Sequence, residues 1–352
     1  MDLQGWAATN EGWIATNESA KKMLSRVLKE HPFLFLPPLH RVPLRTGNVI
    51  ELVGPSPSAK TQILYQVAIN GILPKQWNGI HYGGLGQLVF FLDLDCRFDI
   101  LRFSHMLKHR IMEANGSSNR ASQGNREVDK WSSFEVQKKP NIAYDKELFA
   151  FCLRRFLYVR CYDTHEFLSS FKTLHCLLQK ERNTHDSEVC LLMIDSIGSF
   201  HWMDRASSSL PLGANNRRNL SLQNVFESVV HEIRKLLQLH PLLVITTKAT
   251  ILGDRHSMHD VKLKFASLNV ANSRNATNNS QQPWFREYMP FVWQSLVTHR
   301  IYIQATDDQF TVSEHQDLSV YLSEWLLPPL DSLDKFVVKD VRNDYRFRTC
   351  FR

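Results

Sequence analysis

The stretch Val49-Ile50-Glu51-Leu52-Val53-Gly54-Pro55-Ser56-Pro57-Ser58-Ala59-Lys60-Thr61 decides the fold. Its first five residues read as a strand closed by Gly54 and Pro55, and Gln62 to Ile72 reads as a helix. A strand, a turn opening on Gly, and Lys-Thr at the mouth of a helix match the phosphate-loop pattern G-x-x-x-x-G-K-[ST]. In that arrangement backbone N–H groups and the helix N-terminus face the phosphates. Lys60 would neutralise the outer phosphates and Thr61 would hold Mg²⁺. Gly54, Ser56, Ser58, Ala59, Lys60 and Thr61 are thus candidate nucleotide-binding residues, with ATP and Mg²⁺ as the expected ligands. Two departures stand out. Ala59 replaces the second glycine and puts a Cβ where backbone must approach the ligand. Pro57 has no N–H, so the cradle loses a donor. The alternative is a plain strand–turn–helix junction with Lys60 in solvent.

Other strands extend the pattern. Leu88-Val89-Phe90-Phe91-Leu92, Leu157-Tyr158-Val159, Val189 to Ile194 and Leu242-Leu243-Val244-Ile245 are short and continuously apolar, as strands buried on both faces are. Between them lie helix-period stripes: Ile100, Phe103, Leu107 and Ile111; Phe167, Phe171, Leu174 and Leu178 behind a cap at Asp163 or Thr164; and Leu222 to Leu237. This alternation predicts an α/β fold with a mostly parallel central sheet flanked by helices. Leu296 to Ile303 and Phe310-Thr311-Val312 flank Asp307-Asp308-Gln309, which predicts an antiparallel hairpin at one edge.

Three strand ends carry candidate chemistry. Val189 to Ile194 ends in Asp195, a carboxylate placed to reach Mg²⁺ together with Thr61. Leu92-Asp93-Leu94-Asp95 offers a carboxylate, Asp95, to orient an attacking water, or else two caps for the next helix. Thr246-Thr247-Lys248 places Lys248 where a γ-phosphate sensor sits in nucleotide switches, although a neutral amide would sense better.

The polar stretches 115–147, 205–220 and 253–283 interrupt the alternation, and such composition buries little apolar surface. Residues 1–45 read as an extension with one helix and an apolar linker, 46–315 as the core, and 316–352 as a C-terminal helix with a basic-aromatic tail. The 352 residues carry 42 basic against 35 acidic side chains, a net +7, which favours polyanions. At 43% hydrophobic and 22% charged the composition excludes a wholly disordered chain, a collagen or a coiled-coil rod. No apolar run approaches a membrane span. Met1 to Trp6 lacks a signal peptide's basic start, and the six cysteines form no C-x-x-C pair, so reduced thiols in the cytoplasm or nucleus are expected.

Gly47-x-Val49-x-Glu51-Leu52-x-Gly54, the phosphate loop, Leu92-Asp93-Leu94-Asp95, Ile194-Asp195-Ser196 and Trp293-x-x-x-x-Thr298-His299-Arg300-Ile301-Tyr302-Ile303 together resemble the RecA-type recombinases and their paralogues. The resemblance runs from about Asn17 to His315. It implies a RecA-like P-loop NTPase core and a nuclear role in homologous-recombination repair. It also implies association with other recombinase paralogues, the D-type one first, on single-stranded or branched DNA. The family's catalytic glutamate falls on Asp95, its sensor glutamine on Lys248 and its second loop glycine on Ala59, so a degenerate ATP site is expected. With the phosphate loop so near the start, the family's N-terminal helical DNA-binding domain is expected to be absent. The family's two DNA-facing loops fall on 205–220, with Arg205, Arg217 and Arg218, and on 253–283, with Arg255, Lys262, Lys264 and Arg274. Phe265 could stack a base, Phe33 or Phe35 could plug into a neighbouring subunit, and Tyr345 to Arg352 could follow nucleic acid. An active DNA-dependent ATPase and a nucleotide-free interaction subunit are the alternatives.

Overall fold

Leu88 to Asp93 and Leu242 to Lys248 are buried almost without interruption, because helices cover both faces of the sheet they join. The computed structural model describes residues 36–123, 145–184, 190–208, 222–252, 285–313, 316–338 and 348–349. In chain order the elements are a 3-10 turn (Leu39–Arg41), β1 (Val49–Gly54), α1 (Lys60–Ile72), the short pair β2 (Gln76–Trp77) and β3 (Ile80–His81), β4 (Leu88–Asp93), α2 (Ile100–Gln123), α3 (Lys146–Arg154), β5 (Phe156–Arg160), α4 (Thr164–Thr184), β6 (Cys190–Asp195), α5 (His201–Ser208), α6 (Leu222–Leu239), β7 (Leu242–Ala249), the pair β8 (Ile251–Leu252) and β9 (Phe285–Arg286), α7 (Phe291–Gln294), β10 (His299–Ser313), β11 (Gln316–Leu327), β12 (Pro329–Val337) and β13 (Arg348–Thr349).

The main sheet runs β13-β12-β11-β10-β1-β7-β6-β4-β5. From β10 to β5 every neighbouring pair is parallel, and β11 to β13 add on antiparallel. One face packs on α1, α2 and α3 through Ile63, Val67, Phe103, Leu107 and Leu148. The other packs on α4, α6 and α7 through Phe167, Phe171, Val229, Ile233 and Trp293. Asp163 is the cap foreseen for α4, its Oδ1 accepting from the Glu166 N–H at 2.8 Å. In a parallel sheet the strand ends that share a direction collect at one rim, so the loops after β1, β4, β6 and β7 meet there.

Three expectations are corrected. The segment after 315 is no helix: Gln316–Leu327 and Pro329–Val337 are strands, and Tyr321, Ser323 and Trp325 are buried while Leu322, Glu324 and Leu326 are less so. That period of two fits a strand pinned to β10 and not a helix. The hairpin turn does not lie at 307–309 either. β10 continues to Ser313, paired with Gln316, and 307–308 fall in a register shift between Ala305 and Gln309, as a β-bulge absorbs extra residues. Finally, α2 runs through Gln123, so the polar stretch from 115 begins as a helix extension, and Ile100 of the expected apolar stripe is 52% exposed. The helix expected at residues 19–28, Phe33, Phe35 and the 345–352 tail lie outside the described residues, apart from the backbone of β13. No helix among the described residues is long and apolar enough to cross a membrane.

Candidate nucleotide site

β1 delivers the chain to Gly54, where only glycine fits, since an added Cβ would overlap the carbonyl oxygen of Ile303. The loop then bends back through Ala59 at φ 57°, the left-handed region that glycine enters freely and alanine at a cost of about 1–2 kcal/mol. The turn of the phosphate loop therefore survives the substitution, with the Ala59 Cβ packed against the core beneath. Lys60 opens α1. Its Nζ donates to the carbonyl oxygens of Gly54 (2.7 Å) and Pro55 (2.9 Å) and to Ser58 Oγ (2.7 Å). Burial pulls its ammonium down to about 8, against the pull of Asp195 and Asp95. A phosphate would take over the role of these oxygens as acceptors.

Thr61 Oγ1 donates to Asp195 Oδ2 at 2.8 Å, and Thr247 Oγ1 donates to Asp195 Oδ1. The tips of β4, β6 and β7 are tied here: Leu94 N–H donates to the Asp195 carbonyl at 2.6 Å, and Ile197 N–H to that of Thr247 at 2.9 Å. Burial raises the Asp195 carboxyl despite the two hydroxyls. Asp93 stands opposite Asp195 in the strand register, with its carboxylate taking the N–H groups of Arg97 and Phe98 and the hydroxyl of Tyr158 (2.8 Å). It holds the turn after β4 in place. Asp95 is the freer carboxylate, pushed up to about 7 by burial first, then by Asp195 and Asp93. An ammonium, a hydroxyl and a buried carboxylate thus converge at the mouth of α1, and the last two are hard oxygen donors of the kind Mg²⁺ takes. Among the described residues no three His, Cys, Asp or Glu side chains form a separate metal centre. The donor set fits a nucleotide with its Mg²⁺, Thr61 and Asp195 being the residues that would hold the ion.

The chain is 54% identical over 326 residues to a DNA repair protein XRCC2 homolog of Arabidopsis thaliana, covering 92% of this chain and 87% of that protein. It is 26% identical over 319 residues to the DNA repair protein XRCC2 of Mus musculus, covering 87% and 90% respectively. The chain belongs to the XRCC2 family of DNA repair proteins. No family model matches it. The α/β core just described is the RecA-like fold of XRCC2, as the resemblance implied.

In this XRCC2-family chain Gly54, Ser58, Ala59, Lys60, Thr61 and Asp195 come together, with Asp95 beside them and Ser56 on the exposed side of the loop. Lys248 does not join them. Along β7 neighbouring side chains alternate faces, and it is Thr247 that reaches Asp195. Lys248 lies on the opposite face, fully buried. Its Nζ donates to both Glu287 carboxylate oxygens (2.9 and 2.7 Å) and stands 3.2 Å from Glu51 Oε2. Glu51 also accepts from Arg300 Nε (2.6 Å) and Trp293 Nε1 (2.8 Å). Burial alone would raise the Glu51 carboxyl, yet Lys248 and Arg300 hold it below the ordinary range. Two cations and two carboxylates thus offset one another inside the protein, and the Lys248 ammonium is committed to this cluster, on the face away from the Thr61–Asp195 pair. Glu51 and Arg300 stand in the quoted motifs, but their pairing with Lys248 and Glu287 was missed from sequence; the signal was a glutamate inside a strand otherwise wholly apolar.

Of the predicted DNA-contacting residues, Arg205 is described: it is exposed on α5, which runs through Ser208, so the stretch expected to be loop from 205 begins as helix. Arg217, Arg218, Arg255, Lys262, Lys264, Arg274 and Phe265 lie outside the described residues.

Proposed function

We propose that this chain acts in homologous recombination in the nucleus, as a recombinase paralogue that assembles with other paralogues, the D-type one first, on single-stranded or branched DNA. There it promotes strand exchange and double-strand break repair. ATP and Mg²⁺ bind at Lys60, Thr61 and Asp195 and set the state of the assembly, while hydrolysis is slow. The observation that carries this reading is the Thr61–Asp195 hydrogen bond of 2.8 Å beside the triply bonded Lys60, in a loop whose Ala59 still takes the left-handed turn. Slow turnover follows from the same site. The carboxylate at the β4 tip is the shorter Asp95, and the position expected to sense the γ-phosphate holds a lysine committed to Glu51 and Glu287. DNA binding is supported by the +7 net charge and by the basic residues of 205–220 and 253–283.

Two measurements test it. ATP binding to the purified chain must disappear in Lys60→Ala; unchanged affinity would remove the site. Affinity for single-stranded DNA must fall steeply with salt, and less steeply in Arg217→Ala/Arg218→Ala.

One observation favours a second reading, an active DNA-dependent ATPase. Asp95, held near 7, is a carboxyl poised for proton transfer at the pH of the cell. Steady-state phosphate release with single-stranded DNA separates the two.

A further inference from the structure

We infer that Arg97, in the turn between β4 and α2, takes the terminal phosphate of a nucleoside triphosphate and so tells it from a diphosphate. The inference rests on the nucleotide-binding reading above and adds the group that selects among nucleotides.

The turn is held at its backbone and open at its head. The Arg97 N–H donates to Asp93 Oδ1 at 3.2 Å and to Asp95 Oδ1 at 3.3 Å, and the Phe98 N–H donates to Asp93 Oδ2 at 3.2 Å. Phe98 then anchors the chain in an aromatic cluster, its ring centroid 5.2 Å from that of Tyr65, 5.0 Å from that of Phe91 and 4.7 Å from that of Tyr158. The Arg97 side chain, by contrast, is 73% exposed. Its Nε stands 3.7 Å from Asp95 Oδ2, too far for a hydrogen bond. An exposed ion pair of that length holds a guanidinium loosely. Asp95 in turn is near enough to Lys60 and Asp195 to exchange charge effects with both. The guanidinium thus stands one carboxylate away from the centre of the phosphate loop.

Charge selects the ligand. Asp93, Asp95 and Asp195 share this rim with Lys60. A triphosphate adds negative charge that one Mg²⁺ offsets only in part, so a second cation is needed where the phosphate chain ends. Other cations near the rim are already engaged. Lys248 is held by Glu51 and Glu287 on the far face. Arg160 Nε donates to the Tyr158 hydroxyl at 2.9 Å, and Arg102 lies near Tyr65 with its Nε buried. Arg97 is the one with a loosely held head. A planar guanidinium grips phosphate oxygens through two parallel hydrogen bonds, which its present contact with Asp95 does not give it. Arg97 therefore exchanges Asp95 for the γ-phosphate when a triphosphate is bound, and a diphosphate leaves it where it stands. An arginine supplied by the same chain at the outer phosphate is a general means of stabilising the charge there. This contact makes up for the Lys248 ammonium, which is turned away from the site.

The test uses the full chain with ATP and with ADP, each with Mg²⁺, competed against a fluorescent nucleotide at equilibrium. The natural chain binds ATP more tightly than ADP. Arg97→Ala weakens ATP binding roughly 5- to 50-fold and ADP binding less than about 2-fold, so the preference shrinks or disappears, and Arg97→Lys restores part of it. ADP binding kept by Arg97→Ala also shows that the loop has held its shape. Wild-type ATP affinity in Arg97→Ala overturns the inference, as does an equal loss of ATP and ADP. If the natural chain binds both nucleotides alike and Lys60→Ala loses both, the nucleotide-binding reading stands and the role of Arg97 falls alone. A natural chain that binds neither nucleotide removes both. Loss of co-purifying protein subunits in Arg97→Ala, with the ATP-to-ADP ratio unchanged, assigns the guanidinium to a protein partner and overturns the inference.

Discussion

Thr61 Oγ1 and Asp195 Oδ2, separated by 134 positions in the chain, meet at 2.8 Å. Nothing local brings them together. Thr61 sits where α1 begins and Asp195 where β6 ends, and the parallel sheet sets both at one rim. The contact joins the strand that fixes the loop to the strand that carries the acid, and the site's behaviour follows from it.

Lys60 is the loop's charge. Lys60→Ala is expected to abolish ATP binding, and Lys60→Arg to weaken it strongly, because a planar guanidinium does not fit where Nζ meets three acceptors. Equilibrium binding of a fluorescent ATP analogue checks both, with thermal melts confirming the fold.

Ala59 is in the left-handed region at φ 57°. Ala59→Gly relieves a penalty of about 1–2 kcal/mol but gives the unfolded chain about 0.4–1 kcal/mol of extra entropy. The expected net gain is about 0–1.6 kcal/mol in urea unfolding, together with tighter ATP binding from the freer loop. A clear loss of stability would show that the Ala59 Cβ contributes more by packing than it costs in backbone.

Asp95 gives a pH signature. Its carboxyl titrates near 7 in the folded chain, above its ordinary 3.8. Between those values the folded state holds the extra proton, so this group's contribution to stability is present at low pH and is lost as pH rises through 7. Asp95→Asn is expected to remove that slope and to stabilise the chain above pH 7 by roughly 1 kcal/mol, the side chain being partly solvated. Denaturation midpoints from pH 5 to 8 check it, and parallel curves for the two proteins would refute it.

Lys248 is a charge whose removal strands its partners. Lys248→Met leaves Glu51 and Glu287 undercompensated and is expected to destabilise by about 3–5 kcal/mol. Adding Glu287→Gln should recover part of the loss, since contacting residues do not act additively. A folded Lys248→Met of normal stability that loses only ATP turnover would return Lys248 to the sensor role.

The parts legible in the sequence were those written in one short segment. The buried strands show themselves as unbroken apolar runs, and Gly54, Lys60, Thr61 and Asp195 each sit at a fixed offset from one. Lys248 was misplaced by strand parity. Being one residue past Thr247 puts it on the other face of the sheet, and only its partners Glu51 and Glu287, far off in sequence, reveal which face. Gln316 to Leu327 was misread because Ser323 is polar yet buried, which blurs the alternation that Tyr321 and Trp325 carry. Ala59 could be seen as a departure, but not that the backbone would keep a glycine's conformation around it.

Trp325 Nε1 donates to the Pro38 carbonyl at 3.3 Å, and Arg41 pairs with Asp334. The added antiparallel strands therefore hold down the segment that leads into β1. In genetic terms Trp325 and the phosphate loop are not independent: a premature stop codon upstream of Trp325 would spare every residue of the phosphate loop and still release the stretch that feeds it. Alleles truncated late should consequently behave as folding lesions felt at the front of the chain, and not as the loss of a dispensable tail.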